Sequence, residues 1–156
     1  MKLIKKILLA ILIVLVAIQF IQPGKNNSNE ILPTDISKQF SIPESVQAVL
    51  KTSCYDCHSN NTRYPWYSFI QPGAWWMASH IKNGKADLNF SEFGSYSTHK
   101  QQSKLKSIAN TINDGSMPLS AYTIIHNTAK LSKENKALVI DWATKMKDSL
   151  SQKIKL

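Results

Sequence analysis

The stretch Cys54-Tyr55-Asp56-Cys57-His58 decides how this chain folds, because its C-x-x-C-H spacing is that at which two thiols attach a haem covalently. The histidine after the second thiol is a residue type that binds haem iron from one side. The motif uses both cysteines of the protein. We therefore predict one covalently bound haem c, held by Cys54 and Cys57, with His58 as an axial iron ligand.

The same spacing also occurs in thioredoxin-like redox pairs, in zinc sites and in short disulfides. A zinc site needs more ligands at comparable spacing, and the other histidines, His80, His99 and His126, are scattered. A redox pair is expected beside alternating strands and helices, which this sequence lacks. A disulfide that closes over two intervening residues stabilises little. Haem attachment is the interpretation that the pattern favours.

The first 22 residues are predicted to be a signal anchor or a signal peptide. Three lysines among the first six residues precede an apolar run over 7–21 that only Gln19 interrupts. No Ala-x-Ala sequence follows the run, which favours a retained anchor of the ~20 residues that a bilayer requires. Lysines before such a segment stay in the cytoplasm, so we expect the domain in the periplasm, at the inner membrane. The alternative is a soluble periplasmic or secreted protein after cleavage.

The remainder is predicted to comprise a flexible linker over 23–40, one haem-binding domain over 41–149 and a tail over 150–156. The linker is polar and contains Pro23-Gly24. In the domain, caps and helical periodicity indicate a helix that starts at Ser41, where Glu44 completes a capping box, and one that starts after the cap Ser132. Further helices are predicted over 74–83, closed by Gly84, over 98–113 and over 120–127. We predict an all-α, cytochrome c-like domain of four to five short helices around one covalent haem.

The second axial ligand is predicted to be Met117. It lies in Asp114-Gly115-Ser116-Met117-Pro118, and a Gly-x-Met-Pro loop after a helix resembles the distal methionine loop of class I cytochromes c. A thioether is a weak, soft ligand that favours reduced iron. His80 and His126 are the alternatives, either as distal ligands or as pocket acids.

Flat apolar side chains are expected to wall the haem pocket. Trp66, Trp75 and Trp76 are the candidates, because they cluster shortly after the motif. The second nitrogen of the proximal imidazole needs an acceptor, for which a backbone carbonyl near Pro65 is the candidate. The Arg63 guanidinium could pair with a haem propionate or lie on the surface.

The distribution of charge along the chain indicates which classes of partner it could bind. The chain has a formal net charge of +9, but its lysines are dispersed and lack the clustering expected for nucleic acid. We expect no nucleic acid, redox partner proteins with acidic surfaces, and a membrane contact through the N-terminal helix.

A succession of motifs resembles a bacterial haem-binding domain family that is common in Bacteroidetes. The similarity runs from Cys54 to Asn60 and continues through Tyr64-Pro65-Trp66-Tyr67, Trp75-Trp76, His80-Ile81, Leu88-Asn89-Phe90-Ser91, Met117-Pro118, Tyr122, His126, Leu131-Ser132 and Trp142. The resemblance implies a single c-type haem on Cys54, Cys57 and His58 in a membrane-tethered or exported domain. It supplies no reaction.

Three functions are compatible with these residues. The first is an electron carrier, in which His58 and Met117 fill both axial positions. The second is a gas or redox sensor that works by ligand exchange at the iron. The third is a peroxidase-type enzyme in which His80 or His126 handles protons beside an open site. The absence of an arginine near either histidine in the sequence makes an enzyme the weakest of the three.

Overall fold

The described part of the chain is all-helical. The structure, a computed structural model, describes residues 2–154, among which one isolated antiparallel bridge, between Asn27 and Asn61, is the only extended pairing. The prediction of an all-α fold is confirmed, but six α-helices begin within residues 41–149 and not the four to five predicted. The α-helices are α1 (Lys2–Ile18), α2 (Ile36–Gln39), α3 (Glu44–Ser53), α4 (Tyr55–His58), α5 (Gly73–Asp87), α6 (Thr98–Asn113), α7 (Ser120–Ile125) and α8 (Lys133–Ile154), with 3₁₀ turns at Trp66–Phe69, Phe90–Ser95 and Asn127–Ala129.

Helices α6 and α8 form the main helix pair. Ser97 caps α6 by accepting from the Lys100 amide, and Ser132 accepts from the Asn135 amide at the start of α8 (3.1 Å). Apolar side chains at helical spacing bury one stripe of each helix, so burial holds the pair together. The buried residues include Leu105, Ile108 and Ile112 from α6 and Val139, Trp142, Ala143 and Leu150 from α8. Helix α6 has the bounds that the sequence predicts.

Helix α3 and the Phe90–Ser95 turn complete this core with Val46, Leu50, Phe90 and Phe93. Helix α3 begins at Glu44 after Pro43, which makes no side-chain cap, so the capping box predicted from Ser41 does not form. Because proline already holds its φ near the helical value, the helix can start without that box. Packing of α3 into this core therefore positions Cys54, which directly follows the helix.

The segment predicted as a linker over 23–40 lies against the domain. Ile36 in α2 is fully buried in the core, and the Asp35 carboxylate caps α2 by accepting from the Ser37 amide (2.9 Å). Further along, the Asn26 side chain donates to the Ser59 carbonyl (2.7 Å). Burial of Ile36 and the hydrogen bond from Asn26 attach this segment to the domain.

The N-terminal apolar run forms α1, whose side chains are exposed along its length. Within residues 2–154 no helix combines the length and the apolar character that crossing a membrane requires. The spanning anchor predicted within the first 22 residues is therefore not found, and Met1 of that segment lies outside the described residues.

Two other boundaries differ from the predicted ones. Helix α5 does not stop at Gly84 but continues to Asp87, and α8 runs through most of the predicted tail to Ile154. Residues 155 and 156 of that tail lie outside the described residues. Gly84 does not end α5, and it allows the helix to pack closely against Cys57.

Candidate functional site

The C-x-x-C-H segment forms a single helical turn directly after α3. Cys54 separates α3 from α4, and its carbonyl accepts from the amides of Cys57 (3.2 Å) and His58 (3.0 Å). Residues three and four positions apart lie on the same side of a helix. The local backbone therefore points both thiols and the imidazole to one side of α4.

These three side chains line one cavity of about 310 Å³. The same cavity is also lined by Met117 and Pro118 from the loop between α6 and α7, and by His80 and Gly84 of α5. A smaller cavity of about 80 Å³ shares Cys54, His58, Met117 and Pro118 with it and extends along α6. Its apolar walls are Leu88, Phe90, Ile108, Ile112 and Leu131.

The His58 imidazole is fixed by a backbone carbonyl. Its Nδ1 lies 3.0 Å from the Leu88 carbonyl oxygen, and because a carbonyl can only accept, Nδ1 carries the proton. The other nitrogen, Nε2, is then the unprotonated one that can bind a metal. The acceptor is Leu88 and not a carbonyl near Pro65. Nothing in the sequence spacing signals this contact across 30 residues.

The two thiols are free and protonated. Within residues 2–154 neither cysteine forms a disulfide. Burial raises the pKa of Cys54 to about 12, with a smaller contribution from Cys57. Burial, together with the charge of Asp56, raises the pKa of Cys57 to about 11. Neutral thiols are poor nucleophiles and poor zinc ligands, so this environment gives no support to a dithiol redox pair. No group of three or more His, Cys, Asp or Glu in the described chain is arranged to hold a metal ion.

Met117 lies on a loop that is tied to the end of α6. The Met117 amide donates to the Thr111 carbonyl (3.0 Å), and the Ser116 amide donates to the Asp114 carboxylate (2.9 Å). Gly115 has φ +78°, a conformation that favours glycine, and so it turns the chain back toward the cavity. Met117 lines both cavities that contain His58.

The two alternative histidines occupy different places. His80 lines the larger of these cavities, and its Nδ1 lies 2.9 Å from the Trp76 carbonyl one turn earlier in α5. His126 does not line it. Its Nε2 is hydrogen-bonded to the Tyr67 hydroxyl and its ring is stacked on Tyr122 (centroids 4.2 Å apart). Of the three candidate second ligands, the structure brings Met117 and His80 into the cavity of His58.

The tryptophans differ from their predicted role as pocket walls. Trp66 is 76% exposed, and Trp75 donates its indole N–H to the Ile21 carbonyl (3.0 Å), so neither lines the cavity of Cys54 and Cys57. Trp76 lines a separate cavity of about 150 Å³ on the far side of Cys57. The 3₁₀ turn and the first turn of α5 carry these rings outward, away from α6.

A polar cluster that the sequence did not indicate joins the motif helix to α7. The buried Asp56 carboxylate pairs with the Arg63 guanidinium through Nε (3.1 Å) and Nη2 (3.2 Å). The same carboxylate accepts from the Tyr122 hydroxyl (2.6 Å), at the start of α7. Burial and the neighbouring Asp56 raise the pKa of Tyr122, and the hydrogen bond to Asp56 raises that of Arg63. The Arg63 guanidinium therefore forms its ion pair with the Asp56 carboxylate.

Gly84 allows α5 to approach the motif. A Cβ on this residue would lie 2.7 Å from the Cys57 carbonyl oxygen, closer than real side chains come. The cavity also has a cation at its edge, since Lys104 pairs with Asp87 (2.7 Å) and both residues line the smaller cavity. A cation there could meet the carboxylate of a bound ligand.

This donor set fits a haem. Two protonated thiols, an imidazole with Nε2 free, a thioether in the same cavity and apolar sides are the groups that covalent attachment and axial ligation use. Searches of the curated proteins and of the solved structures find no match to the chain. A family model described as "Haem-binding domain" matches residues 13–145, which include every site residue named above. The chain belongs to the haem-binding domain family.

Proposed function

We propose that the chain holds a c-type haem through thioether bonds from Cys54 and Cys57, with His58 as one axial ligand. The observation that carries this proposal is the convergence of both free thiols and the His58 imidazole on one cavity. The hydrogen bond from His58 Nδ1 to the Leu88 carbonyl supports it further, because it leaves Nε2 as the coordinating atom.

Met117 is our proposed second axial ligand. It lines both cavities that His58 lines, and hydrogen bonds at Thr111 and Asp114 hold its loop. Its thioether has no proton to lose and suits soft, reduced iron. His80 is the competing ligand, since it lines the same cavity and the contact of its Nδ1 with the Trp76 carbonyl leaves Nε2 available.

With both axial positions filled, we propose that the protein is an electron carrier. A bound haem would supply one-electron oxidation and reduction. The chain's residues contribute apolar walls, and the Asp56 cluster ties the motif helix, which carries His58, to α7, which follows the loop of Met117. This arrangement requires no substrate pocket.

We propose that the domain acts on the periplasmic side of the inner membrane, with α1 as a signal or membrane-tethering segment. The lysines before the apolar run support this orientation, and the exposed apolar side chains of α1 favour an apolar environment. Redox partner proteins with acidic surfaces are the proposed partners, because the exposed lysines of α6 and α8 would speed their encounter.

The test is the absorption spectrum of the reduced, haem-loaded full chain with and without carbon monoxide. We expect a low-spin spectrum that carbon monoxide does not change, since both axial positions are filled. Met117→Ala should lower the reduction potential or open the iron to carbon monoxide, whereas His80→Ala and His126→Ala, the matched controls, should not. A spectrum and potential unchanged in Met117→Ala would contradict the methionine assignment.

A shift with carbon monoxide in the unsubstituted protein would instead favour the sensor. Peroxide turnover that His80→Ala abolishes would favour the peroxidase-type enzyme, for which the position of His80 in the cavity is the relevant observation.

A further inference from the structure

The domain carries its exposed apolar side chains on one side only. Across residues 20–152, every large exposed hydrophobic residue lies in the segments 20–31, 66–76 and 124–125, and α3, α6 and α8 contribute none. We call the surface formed by Trp66, Phe69, Ile70, Trp75, Trp76 and Ile125 the apolar face. Single exposed apolar residues are ordinary, but a one-sided set that includes three tryptophans marks an interaction surface.

The apolar face is continuous. Trp76 and Ile125 line the same cavity, which also brings in Tyr67 of the 3₁₀ turn, so α5, α7 and that turn meet there. Trp66 contacts Tyr67 edge to face, with ring centroids 5.9 Å apart. Ile124, which is 75% exposed, extends the surface along α7. The 3₁₀ turn, α5 and α7 therefore form one continuous surface.

The apolar face is also continuous with the exposed apolar helix α1. Gln71, itself buried, joins them: its amide donates to the Gln19 side-chain oxygen (2.9 Å) and its own side chain donates to the Ile21 carbonyl (2.9 Å). The Gln22 side chain donates to the Phe69 carbonyl (3.0 Å), and the Trp75 indole donates to the Ile21 carbonyl (3.0 Å). Whatever surrounds the end of α1 must therefore also reach the apolar face.

The chemistry of the face favours lipid as its occupant. Tryptophan and tyrosine rings with one polar atom are the side chains that proteins place at the level of lipid headgroups. Lys25 lies at the rim, with its Nζ 4.6 Å from the Phe69 ring centroid, and so offers a cation to an anionic headgroup. The exposed residues of α6 and α8 are instead polar and include several lysines, as a surface that faces water should.

We infer that the apolar face rests on the surface of a lipid bilayer, so that the domain itself, and not α1 alone, contacts the membrane in a fixed orientation. The inference rests on the proposed placement of α1 at a membrane and extends it. With the face on the lipid, α6 and α8 point away from the bilayer, which leaves the lysine-bearing side open to soluble redox partners.

Photochemical labelling of the full, haem-loaded chain tests the inference. The chain is incorporated into vesicles of phosphatidylethanolamine and phosphatidylglycerol that contain a phospholipid with a photoactivated acyl chain, and labelled peptides are identified by mass spectrometry. We expect labels in α1, in 64–77 and in 119–126, with only background in 98–113 and 133–152.

A double variant, Trp66→Ser with Ile70→Ser, tests the apolar face directly. It should lower labelling of 64–77 about tenfold, because two exposed apolar side chains that would be buried in lipid are removed. Asn110→Ser, a neutral exposed change on α6, is the matched control and should leave it unchanged.

Four results would overturn the inference. Labels confined to α1 would mean that the domain stands off the membrane, while the placement of α1 would hold. Labels spread evenly over the domain would mean that there is no fixed orientation. Crosslinks between copies of the chain through 64–77, without lipid labels there, would make a second copy the occupant. Absence of labels even in α1 would remove the membrane placement as well. The spectrum and reduction potential of the same sample report separately on the electron-carrier proposal.

Discussion

The α6–α8 half of the molecule and the half that contains α5 and α7 are stabilised in different ways. Helices α6 and α8 bury continuous apolar stripes against α3 and the Phe90–Ser95 turn. In contrast, α5 buries only Ala74 and Ile81 over its 15 residues, and α7 buries none. The comparison teaches that the first half is stable through burial alone, whereas the second depends on polar contacts and on what covers its exposed surface.

The polar contacts of the second half are few and specific. Asp56 joins the motif helix to α7 through Tyr122 and to the following loop through Arg63. Gln71 joins the start of α5 to the end of α1. Each contact connects segments more than fifty positions apart or closes a loop around the motif. Loss of one of them should therefore loosen the cavity wall without unfolding the α6–α8 core.

The largest effect is expected from Leu105→Ala, which removes a buried side chain from the apolar core of the first half. Leu105 is fully buried between α6 and its neighbours, so the cavity left behind should lower the free energy of unfolding by about 2–5 kcal/mol. The matched control, Ile124→Ala, removes an exposed apolar side chain from α7 and should change it by less than about 0.5 kcal/mol. Equilibrium urea unfolding followed by circular dichroism measures both. Equal losses for the two variants would contradict the division into halves.

A smaller effect is expected from Gly84→Ala, which forces α5 away from the motif. Alanine in place of glycine inside a helix normally stabilises by about 0.5–1 kcal/mol. Here the new Cβ would meet the Cys57 carbonyl oxygen, so we expect a net loss of about 1–2 kcal/mol and less haem bound per chain. Urea unfolding and the ratio of haem absorbance to protein measure the two effects. Gly73→Ala, with nothing within 4 Å of its new Cβ, is the control and should be neutral or slightly stabilising.

The smallest effect is expected from Tyr122→Phe, which removes one hydrogen bond of the Asp56 cluster. Because Arg63 still pairs with the carboxylate, the free energy of unfolding should fall by only about 1 kcal/mol. Hydrogen exchange should rise in α7 and in the methionine loop but not in α6. A loss of protection that spreads equally into α6 would show that the two halves are not separable.

The pH dependence of the free energy of unfolding provides a second test of the contact between Tyr122 and Asp56. Burial and Asp56 raise the pKa of Tyr122 in the folded protein, so the folded state holds its proton more tightly than the unfolded chain does. This contribution is fully present below about pH 10, the ordinary tyrosine pKa, and is lost as the pH rises above it. Urea unfolding between pH 8 and pH 11 should show a steeper decline in the unsubstituted protein than in Tyr122→Phe. Tyr64→Phe is the control and should keep the steeper decline.

Prediction from sequence succeeded where a structural signal lies within a few residues. Helix α6 has its predicted bounds because Ser97 and the apolar spacing of Leu105, Ile108 and Ile112 are local features. Helix α5 was predicted to stop at Gly84 because glycine often ends helices. That residue instead lets α5 approach Cys57, a requirement that only the position of α4 reveals. The tryptophans were assigned to the pocket by their proximity in sequence, yet Trp66 and Trp75 turn outward.

By itself the sequence determined the motif and its chemistry: two thiols and a histidine whose spacing, within one helical turn, puts them on the same side whatever surrounds them. It also determined the helical class, through periodic apolar positions. Only the tertiary structure decided the partners of these groups. The acceptor for His58 comes from Leu88, the bond to Asp56 from Tyr122, and the contact of α1 with the domain from Gln71. These contacts join residues 30 to 66 positions apart in the chain, and only the folded arrangement of the helices places such residues beside one another.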